Sequence, residues 1–101
     1  MVEINGKPVI QHRTFHDDTV QSVGWVPEDG LKRYTLGIML PGNHKFTAKL
    51  GAEHVTVLRG GVVVNGKLYD VGETAIVPKD SEAVFEVPGP EPFAYMCIFV
   101  R

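Results

Sequence analysis

Apolar and polar residues alternate along most of the chain in short runs, and glycine, proline or polar residues separate these runs. A period of two residues is typical of β-strands with one buried face, and no segment keeps a helical period. The pattern therefore predicts an all-β barrel or sandwich built from short strands. The predicted strands are residues 20–26, 32–40, 44–50, 53–59, 62–71, 74–78, 83–87 and 93–100.

The length of the chain and its turn residues predict one domain, one hairpin and a separate N-terminal segment. Asn65-Gly66 lies between β-forming residues, which predicts a hairpin with a type I′ turn. With 101 residues, the chain is predicted to form a single domain over residues 1–101. Residues 1–18 are more polar and contain Pro8, so we expect an N-terminal arm or edge strand, suited to docking on a partner subunit. A small sheet must also protect its edges, by closure or by dimerisation.

The composition narrows the class of protein. The chain is 44% hydrophobic and 22% charged, as is ordinary for globular proteins. A net charge of -2 provides no general attraction to nucleic acid. No apolar run approaches the roughly 20 residues of a membrane span, and the N-terminus lacks a signal pattern. We therefore expect a cytoplasmic protein with no nucleic acid or membrane partner, in which Cys97 is a buried, inert thiol.

The stretch FTAKLGAEHVTVLRGG carries the main candidate site. Glu53 opens an apolar strand, and alternation places it on the same face as Val55 and Val57. Thr47 and Lys49 share a face of the preceding strand by the same argument. A hydroxyl, an ammonium and a carboxylate suit a sugar or a phosphate better than a metal, because a protonated lysine repels a divalent ion. The alternative is that Glu53 stays solvated at the mouth of its strand and Lys49 faces solvent.

Other polar residues are weaker candidates. Arg33 and Arg59 lie near strand ends, and Ser81 follows a turn that contains proline. Each of them is also explained as an ordinary surface residue. The four histidines include no His-x-His pair, and His54 has the opposite parity to Glu53, so we do not expect a metal site.

Two spacings resemble the motifs of the cupins. Glu53 and Gly60, with six residues between them, resemble the end of the first motif, and GETAIVP resembles the start of the second. Cupins are double-stranded β-helix (jelly-roll) barrels and are usually dimeric, so the resemblance implies that fold and a homodimer. Metal-binding cupins carry His-x-His ahead of the glutamate, where this chain has Thr47 and Lys49. The resemblance therefore implies the fold without the metal site.

A longer series of motifs resembles the pyrimidine/purine nucleoside phosphorylase family of small cupins, earlier a domain of unknown function. The motifs are VQSVGW, TLGIMLPGNHKFTA, EHVTVLRGGVVV, YDVGETAIVPKDSEAVFEV and AYMCIFV, in this order over residues 20–100. The resemblance implies an enzyme that cleaves purine and pyrimidine nucleosides with phosphate to give free base and ribose 1-phosphate. Inorganic phosphate would be the co-substrate, and no metal or other cofactor is implied. Lys49 departs from the family, which commonly has a small residue there.

The resemblance also suggests roles for the candidate residues. Glu53 is the expected catalytic carboxylate, which would grip the ribose or stabilise its developing positive charge. The expected substrate-binding residues are Thr47, Lys49, Arg59, Ser81, Phe46 and Tyr95, with the aromatic ones, together with Phe85, at the base. One alternative is a metal-free cupin that binds a sugar, nucleotide or small anion without turnover. Another is a metal-dependent oxygenase or isomerase, against which the missing histidines argue.

Overall fold

The described part of the chain is built from strands. A computed structural model describes the backbone of residues 2–4, 7–25 and 34–100, and the side chains of residues 12–24 and 34–100. Arg33 and the residues between the predicted strands 20–26 and 32–40 lie outside these ranges. The described ranges contain no helix at all, and hence none that is long and apolar enough to cross a membrane.

The strands follow the predicted alternation closely. In chain order they are β1 (Val2–Ile4), β2 (Lys7–Phe15), β3 (Val20–Trp25), β4 (Tyr34–Met39), β5 (Gly42–Thr47), β6 (Ala52–Arg59), β7 (Val62–Val64), β8 (Lys67–Tyr69), β9 (Thr74–Val77), β10 (Glu82–Val87) and β11 (Phe93–Val100). They pair into a seven-stranded sheet in the order β1-β2-β3-β4-β11-β6-β9 and a four-stranded sheet in the order β5-β10-β7-β8. All the pairs are antiparallel. This is the all-β jelly-roll architecture that the sequence predicts.

One hydrophobic core lies between the inner faces of the two sheets. Every second residue is buried along β9 and β10 and in the middle of β6 and the first half of β11, because side chains alternate between the two faces of a strand. Phe85 from the smaller sheet and Phe93 from the larger sheet are the largest fully buried side chains. The buried apolar residues are Val20, Met39, Ala48, Val55, Val57, Val62, Val64, Ala75, Val77, Ala83, Phe85, Val87, Phe93, Tyr95 and Cys97.

The predicted hairpin turn is confirmed. Asn65 and Gly66 adopt φ angles of 48° and 86° and join β7 to β8, with Val64 opposite Lys67. Positive φ at both central residues is what a type I′ turn requires. The side-chain Oδ1 of Asn65 also accepts a hydrogen bond of 3.0 Å from the Val84 N–H, which ties the turn to β10.

The N-terminal residues extend one side of the larger sheet. β1 is the edge strand and β2 lies between β1 and β3, so this segment contributes two strands. His16, Asp17 and Asp18, with φ angles of 51°, 55° and 66°, form the turn that leads from β2 into β3. The C-terminal end of β2, just before this turn, lies next to the space between the two sheets.

Candidate functional site

A cavity of about 320 Å³ opens between the two sheets. This volume lies at the lower end of the range of small-molecule sites, roughly 300–1,000 Å³. The larger sheet provides its floor, while the smaller sheet and the segment after β5 provide the opposite wall and the rim. Its lining residues are Arg13, Phe15, Ser22, Thr35, Met39, Phe46, Thr47, Lys49, Leu50, Glu53, Val55, Phe85, Tyr95, Cys97 and Phe99.

Glu53 lies at one end of the cavity floor. It is half-buried at the start of β6, between Phe99 of β11 and Val77 of β9, and Val55 follows it on the same face. Burial raises the pKa of the Glu53 carboxyl above its ordinary value, because a charged carboxylate loses hydration there. The predicted parity of this strand is therefore correct, and its glutamate faces the cavity.

The field of Glu53 reaches two neighbouring groups on β11. Burial, followed by the repulsion from Glu53, raises the pKa of the Cys97 thiol to about 12. Burial, then the charges of Cys97 and Glu53, raise the pKa of the Tyr95 phenol as well. Both groups are therefore neutral near pH 7, so the Tyr95 hydroxyl is available to donate a hydrogen bond. Cys97 is buried, as predicted, although it also lines the cavity.

The position of Tyr95 depends on Gly37, its partner across β4 and β11. A Cβ atom at residue 37 would lie 2.3 Å from Cζ and 2.4 Å from Oη of Tyr95. The phenol ring therefore lies directly over the glycine backbone, in space that any side chain at residue 37 would fill. The ring also stacks against Phe93, with a centroid distance of 5.1 Å.

The rim of the cavity differs from the expected arrangement. The inner face of β5 carries His44 and Phe46, so Thr47 has the opposite parity. β5 ends at Thr47, and the Lys49 N–H donates a hydrogen bond of 3.0 Å to the Thr47 carbonyl. The expectation that strand alternation places Thr47 and Lys49 on one face is wrong, because the strand ends between them. The resulting bend nevertheless brings both exposed side chains to the rim, beside Leu50.

Aromatic rings form the wall opposite the floor. Phe46 is half-buried and packs edge-to-face against Phe85, with a centroid distance of 6.1 Å. Phe15 of β2 packs against Phe46 in the same manner at 5.8 Å. Together with Met39, these rings make one part of the cavity apolar.

Neither Arg59 nor Ser81 is among the residues that line this cavity. Arg59 ends β6 and makes an exposed ion pair with Glu91, with an N–O distance of 3.3 Å. The Ser81 carbonyl accepts a hydrogen bond of 3.0 Å from the Ala48 N–H, and the Ser81 N–H donates to the Pro78 carbonyl. Ser81 therefore anchors the segment that carries Lys49 and does not face the cavity itself.

Several lining residues were not predicted from the sequence. Arg13 comes from the polar N-terminal segment, where nothing in the alternation distinguishes it from other surface charges. Ser22 and Thr35 are 8% and 5% exposed, so they are polar residues at buried positions of β3 and β4. The alternation of β3 does indicate that Ser22 is buried, because Ser22 lies on the same face as Val20. Only the strand order shows that this buried hydroxyl lies beside the cavity.

The cavity does not fit the divalent metal that many cupins bind. None of the described histidines is among its lining residues. The ring Nε2 of His44 donates to the Leu40 carbonyl at 2.8 Å, and His54 pairs with Ile98 and Ile76 on the outer face. Glu53 and a thiol that stays protonated are poor substitutes for imidazoles. Within the described residues, no group of three or more His, Cys, Asp or Glu side chains has a geometry that could hold a metal ion.

The two sheets and the cavity between them define a cupin. The chain belongs to the pyrimidine/purine nucleoside phosphorylase family, whose sequence model matches residues 10–99. No protein with curated annotation matches the sequence.

Solved structures have the same fold. A protein of unknown function from Vibrio parahaemolyticus is 28% identical, with a TM-score of 0.77 over 90% of this chain and 98% of that chain. A DUF1255 protein of unknown function from Acinetobacter sp. ADP1 is 22% identical, with a TM-score of 0.75 over 91% and 95% of the two chains. The CENP-C cupin domain of Drosophila melanogaster is 13% identical, with a TM-score of 0.69 over 88% and 74%. At such low identities the last two matches show the fold alone.

Proposed function

We propose that the protein is a nucleoside phosphorylase that cleaves purine and pyrimidine nucleosides with inorganic phosphate. The observation that carries the proposal is the half-buried Glu53 carboxylate, which lies in a cavity that also contains cationic, hydroxyl and aromatic side chains. Membership of a family described by this activity supports the same function.

The proposed reaction breaks the C1′–N glycosidic bond and forms a bond between C1′ and a phosphate oxygen. The bonding electrons leave with the base, which gains the proton that the attacking hydrogen phosphate loses. Positive charge develops on the ribose ring in between, and Glu53 is suited to stabilise it or to accept hydrogen bonds from the ribose hydroxyls. Partial desolvation strengthens that electrostatic interaction.

The base of the nucleoside and the phosphate require side chains other than Glu53. The aromatic wall of Phe46, Phe85 and Phe15 suits a flat base and provides no hydrogen-bonding pattern that would select one base. Arg13 supplies positive charge for phosphate, while Lys49 adds a second positive charge and Thr47 a hydroxyl at the rim. The proposal uses no metal or organic cofactor, since each step has a protein group to serve it.

The test is phosphate-dependent release of base from a panel that includes uridine, adenosine and guanosine. We expect release with several nucleosides and none when phosphate is omitted. Glu53→Ala should lower kcat/KM by more than about tenfold, the effect of losing one transition-state contact. Glu86→Ala, at an exposed position of β10, is the matched control and should retain full activity.

Two results would contradict the proposal. If no nucleoside of the panel releases base in the presence of phosphate, the protein is not a phosphorylase. Nucleoside binding without turnover would then favour the alternative of a binding module. If the enzyme is active but Glu53→Ala retains wild-type rates, Glu53 has no part in the mechanism.

A further inference from the structure

The cavity has two electrostatically different ends. Glu53 lies on β6, whereas Arg13 lies on β2, and the strand order places β3, β4 and β11 between them. Four strand spacings of about 4.8 Å separate the two backbones by roughly 19 Å along the sheet. Both side chains line the same cavity, so a ribose beside Glu53 and a phosphate beside Arg13 can lie in contact with each other. Lys49 lies at the rim, in the segment that leads into β6, and not on the strands beside Arg13.

A dianion is therefore repelled least at the Arg13 end. Phosphate and the Glu53 carboxylate are both negative, and they would repel each other strongly if both lay at the same end of a partly desolvated cavity. A guanidinium is also the side chain best suited to bind two phosphate oxygens at once.

One row of side chains crosses the floor from β2 to β11. Arg13 is directly opposite Ser22 on β3, Ser22 is opposite Gly37 on β4, and Gly37 is opposite Tyr95 on β11. Directly opposed residues have Cβ atoms about 4.5–5.5 Å apart, so neighbours in the row can bind the same small ligand.

The glycine in this row brings the phenol of Tyr95 toward Ser22. Tyr95 Oη lies 2.4 Å from the place where a Cβ of residue 37 would be. The phenol oxygen therefore occupies the position of the missing side chain, next in line to the Ser22 hydroxyl. Thr35, two residues before Gly37 on β4, adds a third hydroxyl that lines the cavity.

We propose that Arg13, Ser22 and Tyr95 form the phosphate subsite of the cavity, with Thr35 at its side. This inference rests on the proposed function and identifies the residues that bind the co-substrate. The guanidinium compensates the charge, and the two hydroxyls donate hydrogen bonds to the remaining phosphate oxygens. Burial raises the pKa of the Tyr95 phenol, so the phenol stays protonated near neutral pH and can donate a hydrogen bond to phosphate.

The first experiment is steady-state phosphorolysis with varied phosphate and varied nucleoside. Arg13→Gln should raise the KM for phosphate by roughly 10- to 100-fold, the effect of losing a charge-assisted bidentate contact, with little change in the KM for nucleoside. Arg13→Lys should recover part of the loss. Arg59→Gln removes an arginine outside the cavity and should behave as wild type.

The second experiment measures binding without turnover. Inorganic phosphate and, separately, ribose 1-phosphate should raise the melting temperature of the wild type and of Arg59→Gln, and should do so much less for Arg13→Gln and Ser22→Ala. Arg13 is exposed, so its replacement should leave the fold intact, which circular dichroism checks.

The two experiments separate failure of the subsite from failure of the proposed function. If the wild type is active and Arg13→Gln has the same KM for phosphate as Arg59→Gln, the subsite is wrong and the function stands. If no nucleoside is cleaved but phosphate stabilises the wild type and not Arg13→Gln, the subsite stands and the function is wrong. If phosphate neither supports base release nor raises the melting temperature of the wild type, the proposed phosphate subsite is overturned.

Discussion

Replacing Gly37 with alanine is expected to destabilise the protein and to displace Tyr95 from the cavity floor. The new Cβ would lie 2.3 Å from Tyr95 Cζ, whereas carbon atoms in ordinary contact are roughly 3.5 Å apart. The ring must therefore move by about 1.2 Å. Tyr95 is only 7% exposed and stacks on Phe93, so its ring can move only toward the cavity and loses part of that stacking contact.

The size of the effect follows from this overlap. Overpacking of a well-packed core costs about 1–3 kcal/mol, and we expect about 2 kcal/mol here. For a domain of about 100 residues this corresponds to a fall in melting temperature of roughly 8–16 °C. Thermal unfolding followed by circular dichroism measures it. Gly61→Ala is the matched control, because its new Cβ would find its nearest neighbours at an ordinary 3.8 Å.

A double-mutant cycle tests the cause of this loss. If the Tyr95 ring is responsible, Gly37→Ala should cost little in a Tyr95→Leu background, because the shorter side chain leaves the space empty. The coupling energy should then approach the cost of Gly37→Ala alone. Additive effects of the two substitutions would refute the assignment of Tyr95 to the space above Gly37.

Two further predictions concern the charge of Glu53 and the outer face of the larger sheet. Folding raises the pKa of Glu53, so the stability linked to its protonated form is complete below the ordinary value of 4.5 and is lost as the pH rises through the folded pKa. Glu53→Gln should therefore melt at a higher temperature than the wild type at pH 7, and the difference should vanish near pH 4. An equal difference at both pH values would contradict this. The outer face exposes Leu36, Ile76 and Ile98, which we propose as the contact of a homodimer. Light scattering after size exclusion should give twice the monomer mass for the wild type and for Leu68→Lys in the smaller sheet, and the monomer mass for Leu36→Lys; a monomeric wild type would exclude the dimer.

Local patterns in the sequence were sufficient for the strands from β3 onward, apart from the end of β5, and for the fold class. Alternation determines which face of a strand is buried, and it placed Glu53 correctly beside Val55 and Val57. The Asn65-Gly66 turn is likewise local, since its positive φ angles depend on the two residues themselves. The cupin fold and the family also followed from the order and spacing of short motifs.

The residues that share the cavity were decided only by the tertiary structure. Thr47 and Lys49 reach the rim because β5 ends between them, and a strand end is set by packing and hydrogen bonds with distant residues such as Ser81. Arg13, Ser22 and Tyr95 are far apart in the chain, and only the pairing of β2, β3, β4 and β11 aligns them in one row. Periodicity within one strand specifies the face of a side chain, whereas its neighbours across the sheet depend on strand order and register.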